Sequence, residues 1–343
     1  MYILCLPNIY VEQRKVIKFG KSAFCMTLPH TWVKKHRIKK GDSLNVQETL
    51  RNSLEIFPKT VNTNTSSSLS IDITKKSTDE IIQLILATYL NGYTTLTLKG
   101  SNTGKVGYLR EHIHEFIAAE IMEVTTERIV IHVFWDIETI NLEKILRRID
   151  HIIRSIFEET KDLLDAKSRI SDIKEKGDEI RRQVLLAKRA ITYALNNSST
   201  ALQFNLSSLD LYYISYISYF SGKIGEYLPI ISEKIESNMS AEKIDETGKE
   251  EFSALLTQAY KYYEEIMDVY NKKNKGQQFV ISEYQEFYNK IQEFQSQNTP
   301  MWKNLIGEYL MLLVRTIKEM EFVMINLENA PKPNTKQENK LYA

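Results

Sequence analysis

The chain has 343 residues, of which 43% are hydrophobic and 26% charged, an ordinary composition for a globular protein with a buried core. Only Cys5 and Cys25 occur, and they have neither the close spacing of a zinc site nor the density of a disulfide framework. The apolar stretch Leu305–Ile317 is interrupted by Glu308 and Arg315. We therefore expect no membrane insertion and a cytoplasmic location.

The formal net charge of +1 hides an asymmetry along the chain. Residues 1–60 contain eleven lysines and arginines and four acids, a net charge of +7, and the remaining residues carry −6. A basic segment attached to an acidic body favours nucleic-acid binding at one end of the protein. The alternative is an ordinary solvated charged surface on a small domain.

Residues 14–58 predict a series of short elements: strand, glycine turn, strand, basic helix, turn, strand, turn and strand. Gly20 permits the first turn, and Pro29 ends the second strand because proline cannot donate to a strand ladder. His30–His36 is predicted as about two turns of helix. Cys25 falls within a strand pattern and is predicted to be an inert, buried thiol.

Four motifs of this segment, RKVxKFGKS, TLPxxWVKK, KKGD and SLEIFP, resemble the AbrB/SpoVT family of DNA-binding domains, in the form that opens archaeal transcription regulators. The resemblance implies a swapped-hairpin β-barrel for residues 10–60, in which two chains interleave their strands. The composition agrees, because about 45 residues with short strands make a poor core without a partner. We therefore expect a homodimer formed through this domain.

The resemblance also implies which residues contact DNA. Carried over one by one, the family's positions fall on Arg14, Lys15, Lys21, Lys34 and Lys35, with Lys18 as a neighbour. Lysines act as point charges on phosphates, whereas Arg14 is the best candidate to read a base edge. The expected partner is double-stranded DNA, bound with steep salt dependence. Arg37 replaces a glycine that the family often has, at a cost of about 1 kcal/mol if this position is left-handed.

The middle of the chain predicts a small α/β module. Residues 61–69 form a Ser/Thr/Asn-rich linker, and residues 70–137 alternate strands with helices. Ser77 is predicted to cap the first helix, with Glu80 placed to complete a capping box. The last strand is predicted over Val124–Phe134.

From residue 141 onward, apolar residues recur at steps of three and four, which predicts amphipathic helices. Three helices, a polar break and three more helices favour two antiparallel three-helix bundles, over residues 138–236 and 250–330. The tail, residues 331–343, is expected to be disordered. The predicted fold is thus α+β overall: a swapped-hairpin barrel, a small α/β module and an all-α pair of bundles.

The stretches NLEKILRRIDHIIRSIFEE, IKEKGDEIRRQVLLAKRAI and SGKIGEY resemble the PhoU family, and the whole chain is similar to archaeal phosphate-uptake regulators with an AbrB-like N-terminus. The resemblance implies a pair of metal-binding acids, four residues apart, in the third helix of each bundle. Here Gly222 and Glu226 occupy those positions in the first bundle, and Lys318 and Phe322 in the second. We expect no metal cluster, while a lone cation at Glu226 stays open.

A cluster of tyrosines in the third helix has two interpretations. Its members are Tyr212, Tyr213, Tyr216 and Tyr219, with Tyr227 further on. At helical spacing these residues divide between faces, as in a core with an amphipathic rim, or alternatively they form a surface that docks a partner.

Together these features predict a dimeric DNA-binding transcription regulator, linked by the PhoU resemblance to phosphate uptake or related metabolism. Its bundles would sense a ligand or dock a phosphate-transport or signalling protein. The alternative is an adaptor that restrains a phosphate transporter or sensor kinase by protein contact, without binding DNA. The sequence contains no nucleophile–base pair, and the loop Gly100–Lys105 has the wrong spacing for a phosphate-binding loop, so we expect neither enzymatic activity nor a cofactor.

Overall fold

The computed structural model describes residues 12–48, 53–58, 67–101, 104–241, 243–271, 283–295 and 300–329. The fold is α+β and about 65% helical, with small sheets and a helical C-terminal region. The chain divides into two compact units, Met1–Asn62 and Thr63–Ala343. The predicted tail, residues 331–343, and most of the predicted linker lie outside the described residues.

The first unit consists of two hairpins joined by a short helix, in the order that the sequence predicts. Strand β1 (Ile17–Phe19) pairs with β2 (Ala23–Cys25), and β3 (Leu44–Glu48) pairs with β4 (Leu54–Pro58), both antiparallel. Helix α1 (His30–Lys35) connects the hairpins. A swapped barrel requires a second chain, so the closed barrel stays a prediction.

Most apolar side chains of the first unit are exposed. Within its described part only Phe57 is buried. The large apolar side chains left in solvent are Val16, Ile17, Phe19, Phe24, Met26, Val46 and Leu54. Cys25 is exposed as well, so the prediction of a buried thiol is wrong. The reason is that every residue of the three-residue strand β2 is exposed within one chain.

The second unit begins with a four-stranded mixed sheet in the spatial order β5-β6-β8-β7. Its strands are β5 (Ser68–Asp72), β6 (Thr95–Lys99), β7 (Ala119–Val124) and β8 (Arg128–Val133). Strands β5 and β6 are parallel, and the remaining pairs are antiparallel. Two helices, α2 (Thr78–Leu90) and α3 (Val106–His112), belong to this part of the chain.

The single strand predicted over Val124–Phe134 is wrong at its start, because two strands meet there in a tight turn. The Thr125 backbone N–H donates to the Arg128 carbonyl over 2.8 Å, and the Arg128 N–H donates to the Thr125 hydroxyl over 3.1 Å. The threonine side chain thus stabilises the reversal between β7 and β8.

The start of α2 is fixed as predicted. The Glu80 backbone N–H donates to the Ser77 hydroxyl over 3.2 Å, and the Ser77 N–H donates to the Glu80 carboxylate over 2.7 Å. This reciprocal pair is a capping box, so the prediction is confirmed. It sets the helix so that Ile81, Ile85 and Tyr89, which recur every four residues, are buried in the core cluster of the sheet.

A long helical region follows. In the described part of the chain it contains α4 (Leu142–Asp162), α5 (Ile170–Asn196), α6 (Ser198–Gln203), α7 (Ser208–Ser240), α8 (Glu246–Tyr270), α9 (Tyr284–Phe294) and α10 (Met301–Glu328). Apart from α6, these helices contribute buried side chains to one continuous cluster, and α7 makes its most extensive contacts with α5 and α10. The division into two bundles therefore stays a prediction. No described helix combines the length and apolarity that crossing a membrane requires.

Glycines allow α5 and α7 to approach closely. Pro229 lies inside α7, where it cannot donate a hydrogen bond to the carbonyl four residues earlier. Gly177 on α5 faces the proline ring, since a Cβ at residue 177 would lie 2.8 Å from Cγ of Pro229. A Cβ on Gly225 would likewise lie 2.6 Å from a methyl carbon of Ile180. Side chains at these two positions would force the helices apart.

A buried arginine joins the helical region to the sheet layer. Arg189 of α5 is fully buried, and its guanidinium donates to the carbonyls of Tyr89, Gly92 and Tyr93 at the end of α2. The last two distances are 3.3 and 3.0 Å. Carbonyls at a helix C-terminus have no partner within the helix and carry partial negative charge, so they compensate the buried cation.

Two aromatic rings complete the environment of this cation. The guanidinium carbon of Arg189 lies 4.8 Å from the ring centre of Tyr89 and 4.7 Å from that of Trp135. Burial lowers the pKa of Arg189 to about 10, so the side chain still carries its charge at neutral pH. No described carboxylate pairs with it, and the carbonyls and ring faces therefore provide its stabilisation.

We expect Arg189→Met to lower the free energy of unfolding by about 3 kcal/mol, because it removes three hydrogen bonds that a buried charged group donates to carbonyls. Urea denaturation followed by circular dichroism measures the change. The matched control is Arg147→Met, which removes an exposed helical ion pair with Glu143 and should cost about 0.5 kcal/mol or less. Equal effects of the two substitutions would contradict the anchoring role of Arg189.

Candidate nucleic-acid interface

The six cations that the resemblance assigns to DNA binding lie on two parts of the first unit, and all six are exposed. The first group precedes or belongs to the β1–β2 hairpin and consists of Arg14, Lys15, Lys18 and Lys21. The second group, Lys34 and Lys35, forms the last turn of α1. Positive charge is favourable there because the C-terminus of a helix carries partial negative charge.

The β1–β2 hairpin has two different faces. Gly20 has φ of +69°, the left-handed conformation that the tight turn requires. Lys18 lies opposite Phe24 in the strand register, and Ile17 and Phe19 point to the other face because side chains alternate along a strand. One face therefore carries Lys18 beside Phe24, whereas the other carries Ile17 and Phe19 and is apolar, which leaves this second face available for packing.

Arg14, the predicted base-reading residue, forms an ion pair with Glu12. The pair lies on the surface, where such contacts contribute little free energy because water and salt screen them. A phosphate or a base edge could therefore compete for the guanidinium at small cost. The structure shows Arg14 engaged with a carboxylate rather than free.

A strained residue ends the basic helix. The Arg37 N–H donates to the Lys34 carbonyl over 3.1 Å, and the Ile38 N–H donates to the Val33 carbonyl over 3.1 Å. This pair of bonds is a Schellman motif, which places its central residue in the left-handed region. Arg37 has φ of +52° and is therefore left-handed, so the cost of about 1 kcal/mol expected for an arginine at this position applies.

Exposed cations surround this helix end beyond the predicted set. Arg37, Lys39 and Lys40 are exposed, and the sequence interpretation assigned none of them to the DNA-contacting positions. Within the described residues no carboxylate forms an ion pair with Lys15, Lys18, Lys21, Lys34, Lys35 or Arg37. Unpaired, exposed lysines and arginines are the groups that neutralise phosphates in nucleic-acid complexes.

The structure does not pack the two basic groups against each other. Helix α1 makes no extensive contact with either hairpin among the described elements of one chain. Lys18 and Lys21 are thus brought together by their hairpin, and Lys34 and Lys35 by their helix. That the two groups of cations form one continuous basic face in the dimer stays a prediction.

Glu226, the possible site of a lone cation, and the nearby carboxylate Glu179 both have cationic partners. Glu226 accepts a bond of 2.7 Å from Lys223. Glu179 of α5 contacts Arg148 and Arg182 at 2.9 and 2.7 Å. Burial acts to raise the pKa of Glu179, but hydrogen bonds from Gln183 and Arg182 outweigh it, so the pKa is lowered. Within the described chain, no three His, Cys, Asp or Glu residues are placed to share a metal ion.

Two other polar regions, a loop and a groove, show no arrangement of described residues that indicates catalysis or ligand binding. Lys105, in the loop that superficially resembles a phosphate-binding loop, donates to the Ile73 carbonyl over 2.7 Å and thus ties the loop to the sheet. A groove of about 800 Å³ runs along α8, where lysines and carboxylates alternate. Lys249 pairs with Glu246 in this groove at 2.6 Å, and the lining as a whole carries five carboxylates against three lysines.

No family model, curated protein or solved structure matches the chain. The resemblances to the AbrB/SpoVT and PhoU families therefore rest on the motifs quoted above, and the DNA-contact assignment stays a prediction.

We expect Arg37→Gly to stabilise the first unit by about 1 kcal/mol, because glycine adopts the left-handed conformation without steric cost. Thermal denaturation at fixed protein concentration measures the change. The control is Lys34→Gly, which places glycine in the helix and should destabilise by about 1 kcal/mol. A fall in stability for Arg37→Gly would show that the arginine side chain makes a stabilising contact.

Proposed function

We propose that this protein is a dimeric, cytoplasmic transcription regulator whose first unit binds double-stranded DNA. The observation that carries the proposal is a set of six exposed cations, five of them without an ion-pair partner among the described residues, on a unit of net charge +7. Such a set supplies the phosphate contacts that dominate the affinity of proteins for DNA. The contacts proposed are those of Arg14, Lys15, Lys18, Lys21, Lys34 and Lys35.

Exposed apolar surface supports the proposed homodimer. Ile17, Phe19 and Phe24 are exposed on one short hairpin, and among the described residues of the unit only Phe57 is buried. Burying such side chains against a second copy contributes about 25 cal/mol per Å² of apolar surface. The dimer proposed is the swapped-hairpin arrangement, and its two-fold symmetry doubles the set of cations offered to the duplex.

The proposed pathway, phosphate uptake or related metabolism, comes from the PhoU resemblance of the helices. The second candidate is a PhoU-like adaptor that acts by protein contact alone. The exposed tyrosines of α7 favour this candidate, because tyrosine-rich surfaces are frequent at protein interfaces. DNA binding requires the cations of the first unit, whereas the adaptor function does not.

We expect the double substitution Lys34→Glu/Lys35→Glu to weaken DNA binding strongly, because it replaces phosphate contacts with repulsion. A genomic DNA pull-down with the purified protein identifies the fragments, and a salt titration on the best fragment measures the contacts. The slope of log K against log salt should fall by about 0.9 for each lost phosphate contact.

The control is Lys75→Glu/Lys76→Glu, which changes two consecutive lysines of the second unit. This variant should bind the same fragment as tightly as the wild type. If Lys34→Glu/Lys35→Glu binds the fragment as tightly as the wild type does, these lysines do not contact DNA. An absence of any enriched DNA with the wild-type protein would leave the adaptor as the better function.

We expect Phe19→Asp to convert the dimer into a monomer, because it places a charge on an apolar face that a second copy must cover. Light scattering after size exclusion should show the mass fall from twice 40.0 kDa to 40.0 kDa. Lys18→Asp, on the opposite face of the same strand, should remain dimeric. A wild-type protein that is already monomeric at micromolar concentration would contradict the proposed dimer.

A further inference from the structure

Helix α7 presents an exposed aromatic surface that the proposed DNA contacts do not use. Tyr212, Tyr216 and Tyr219 are 49%, 40% and 45% exposed, and their steps of four and three residues place them on one helix face. The Tyr212 and Tyr216 rings meet edge to face with centres 5.1 Å apart, and Tyr219 meets Phe220 at 5.4 Å. We call this surface, together with Lys188 and Lys223, the tyrosine ridge.

The ridge contains a cation without a counter-charge. Lys188 of α5 is half-buried, and its ammonium lies 5.4 Å from the ring centre of Tyr219. No described carboxylate pairs with it. Lys223 nearby is paired with Glu226, and burial together with the charge of Lys223 lowers the pKa of Lys188. A half-buried charge without a partner costs free energy, which an incoming anion would recover.

We propose that the tyrosine ridge docks an amphipathic segment of a partner protein, which places a carboxylate against Lys188 and apolar side chains on the tyrosine rings. Tyrosine offers a large, rigid contact area and a hydroxyl that bonds at the edge of an interface. A carboxylate at Lys188 forms a charge-assisted hydrogen bond in a partly dry environment, where it is stronger than in water.

The charge of the ridge favours a protein partner over a nucleic acid. Its two lysines and Glu226 give a local charge of +1, and Lys223 is already neutralised. A nucleic-acid groove requires a series of unpaired cations along a backbone, as the first unit offers. One unpaired cation within an aromatic surface instead matches a single carboxylate among apolar side chains. The inference does not depend on the proposed DNA binding.

The test uses the purified full-length protein and a phage-displayed library of random twelve-residue peptides. Phage that bind the Lys188→Glu variant are removed first, and the remainder is selected on the wild type. We expect enriched peptides to contain Asp or Glu beside aromatic or aliphatic residues. A fluorescent synthetic copy of the best peptide should bind Lys188→Glu at least tenfold more weakly in anisotropy titrations.

Two controls make the contact specific. Replacing the peptide's carboxylate by the corresponding amide should weaken binding to the wild type as much as Lys188→Glu does. Lys174→Glu reverses a charge on the same helix and removes an exposed pair with Glu233, and it should leave peptide affinity unchanged. An amide peptide that binds as tightly as the acid would overturn the proposal.

Folding is checked with Lys188→Met in the absence of any peptide. We expect its Tm to equal or exceed that of the wild type, because the change removes an uncompensated cation and keeps the apolar stem. A lower Tm together with lost peptide binding would show that Lys188 is structural, and the proposal fails. It also fails if no peptide is enriched, or if a labelled twenty-residue oligo(dT) binds the wild type and Lys188→Glu abolishes that binding.

Discussion

The second unit depends on a buried positive charge, that of Arg189, which no described carboxylate compensates. Arg189 donates to the carbonyl of Tyr89 in the last turn of α2 and to that of Tyr93 just beyond the helix, and it lies close to the rings of Tyr89 and Trp135. These carbonyls and ring faces stabilise the positive charge in place of a counter-ion. Leu185, one turn earlier on α5, belongs to the core of the sheet. Helix α5 is therefore common to both hydrophobic clusters, and the sheet and the helices form one compact unit.

The part of the first unit that the structure describes contains no comparable anchor. Its hairpins expose Ile17 and Phe19, and only Phe57 is buried among its described residues. Its polar residues also depart from what stability alone would favour, because Arg37 occupies a left-handed position that glycine would fill without cost. The described part of this unit therefore has its cations in solvent and much of its apolar surface exposed within one chain.

Much of the local structure follows from the sequence, because its causes are local. Ser77 and Glu80 specify the start of α2 by themselves, and the periodicity of the long helices predicts their buried faces. The turn between β7 and β8 was not predicted, since a threonine side chain, rather than glycine or proline, stabilises it. Cys25 was misassigned because a strand pattern alone does not show whether anything covers the strand.

The remaining features depend on contacts that are distant in sequence. Arg189 sits among helix-forming residues, and its carbonyl partners lie about a hundred positions earlier, so no spacing rule identifies it as buried. The exposure of the six predicted cations follows from their chemistry. Their arrangement relative to one another does not, because α1 makes no extensive contact with either hairpin among the described elements of one chain.

The contact between Gly177 and Pro229 makes the substitutions at these two positions interdependent. Any side chain at residue 177 would meet the proline ring, and the carbonyl of Gly225 lies only 3.2 Å from the same point. Loss of the ring would remove the nearer of these two contacts but leave the carbonyl, so a small side chain at residue 177 is more easily tolerated when α7 lacks the proline. The two helices are thus expected to change as a pair in evolution, a case of epistasis imposed by one missing carbon atom.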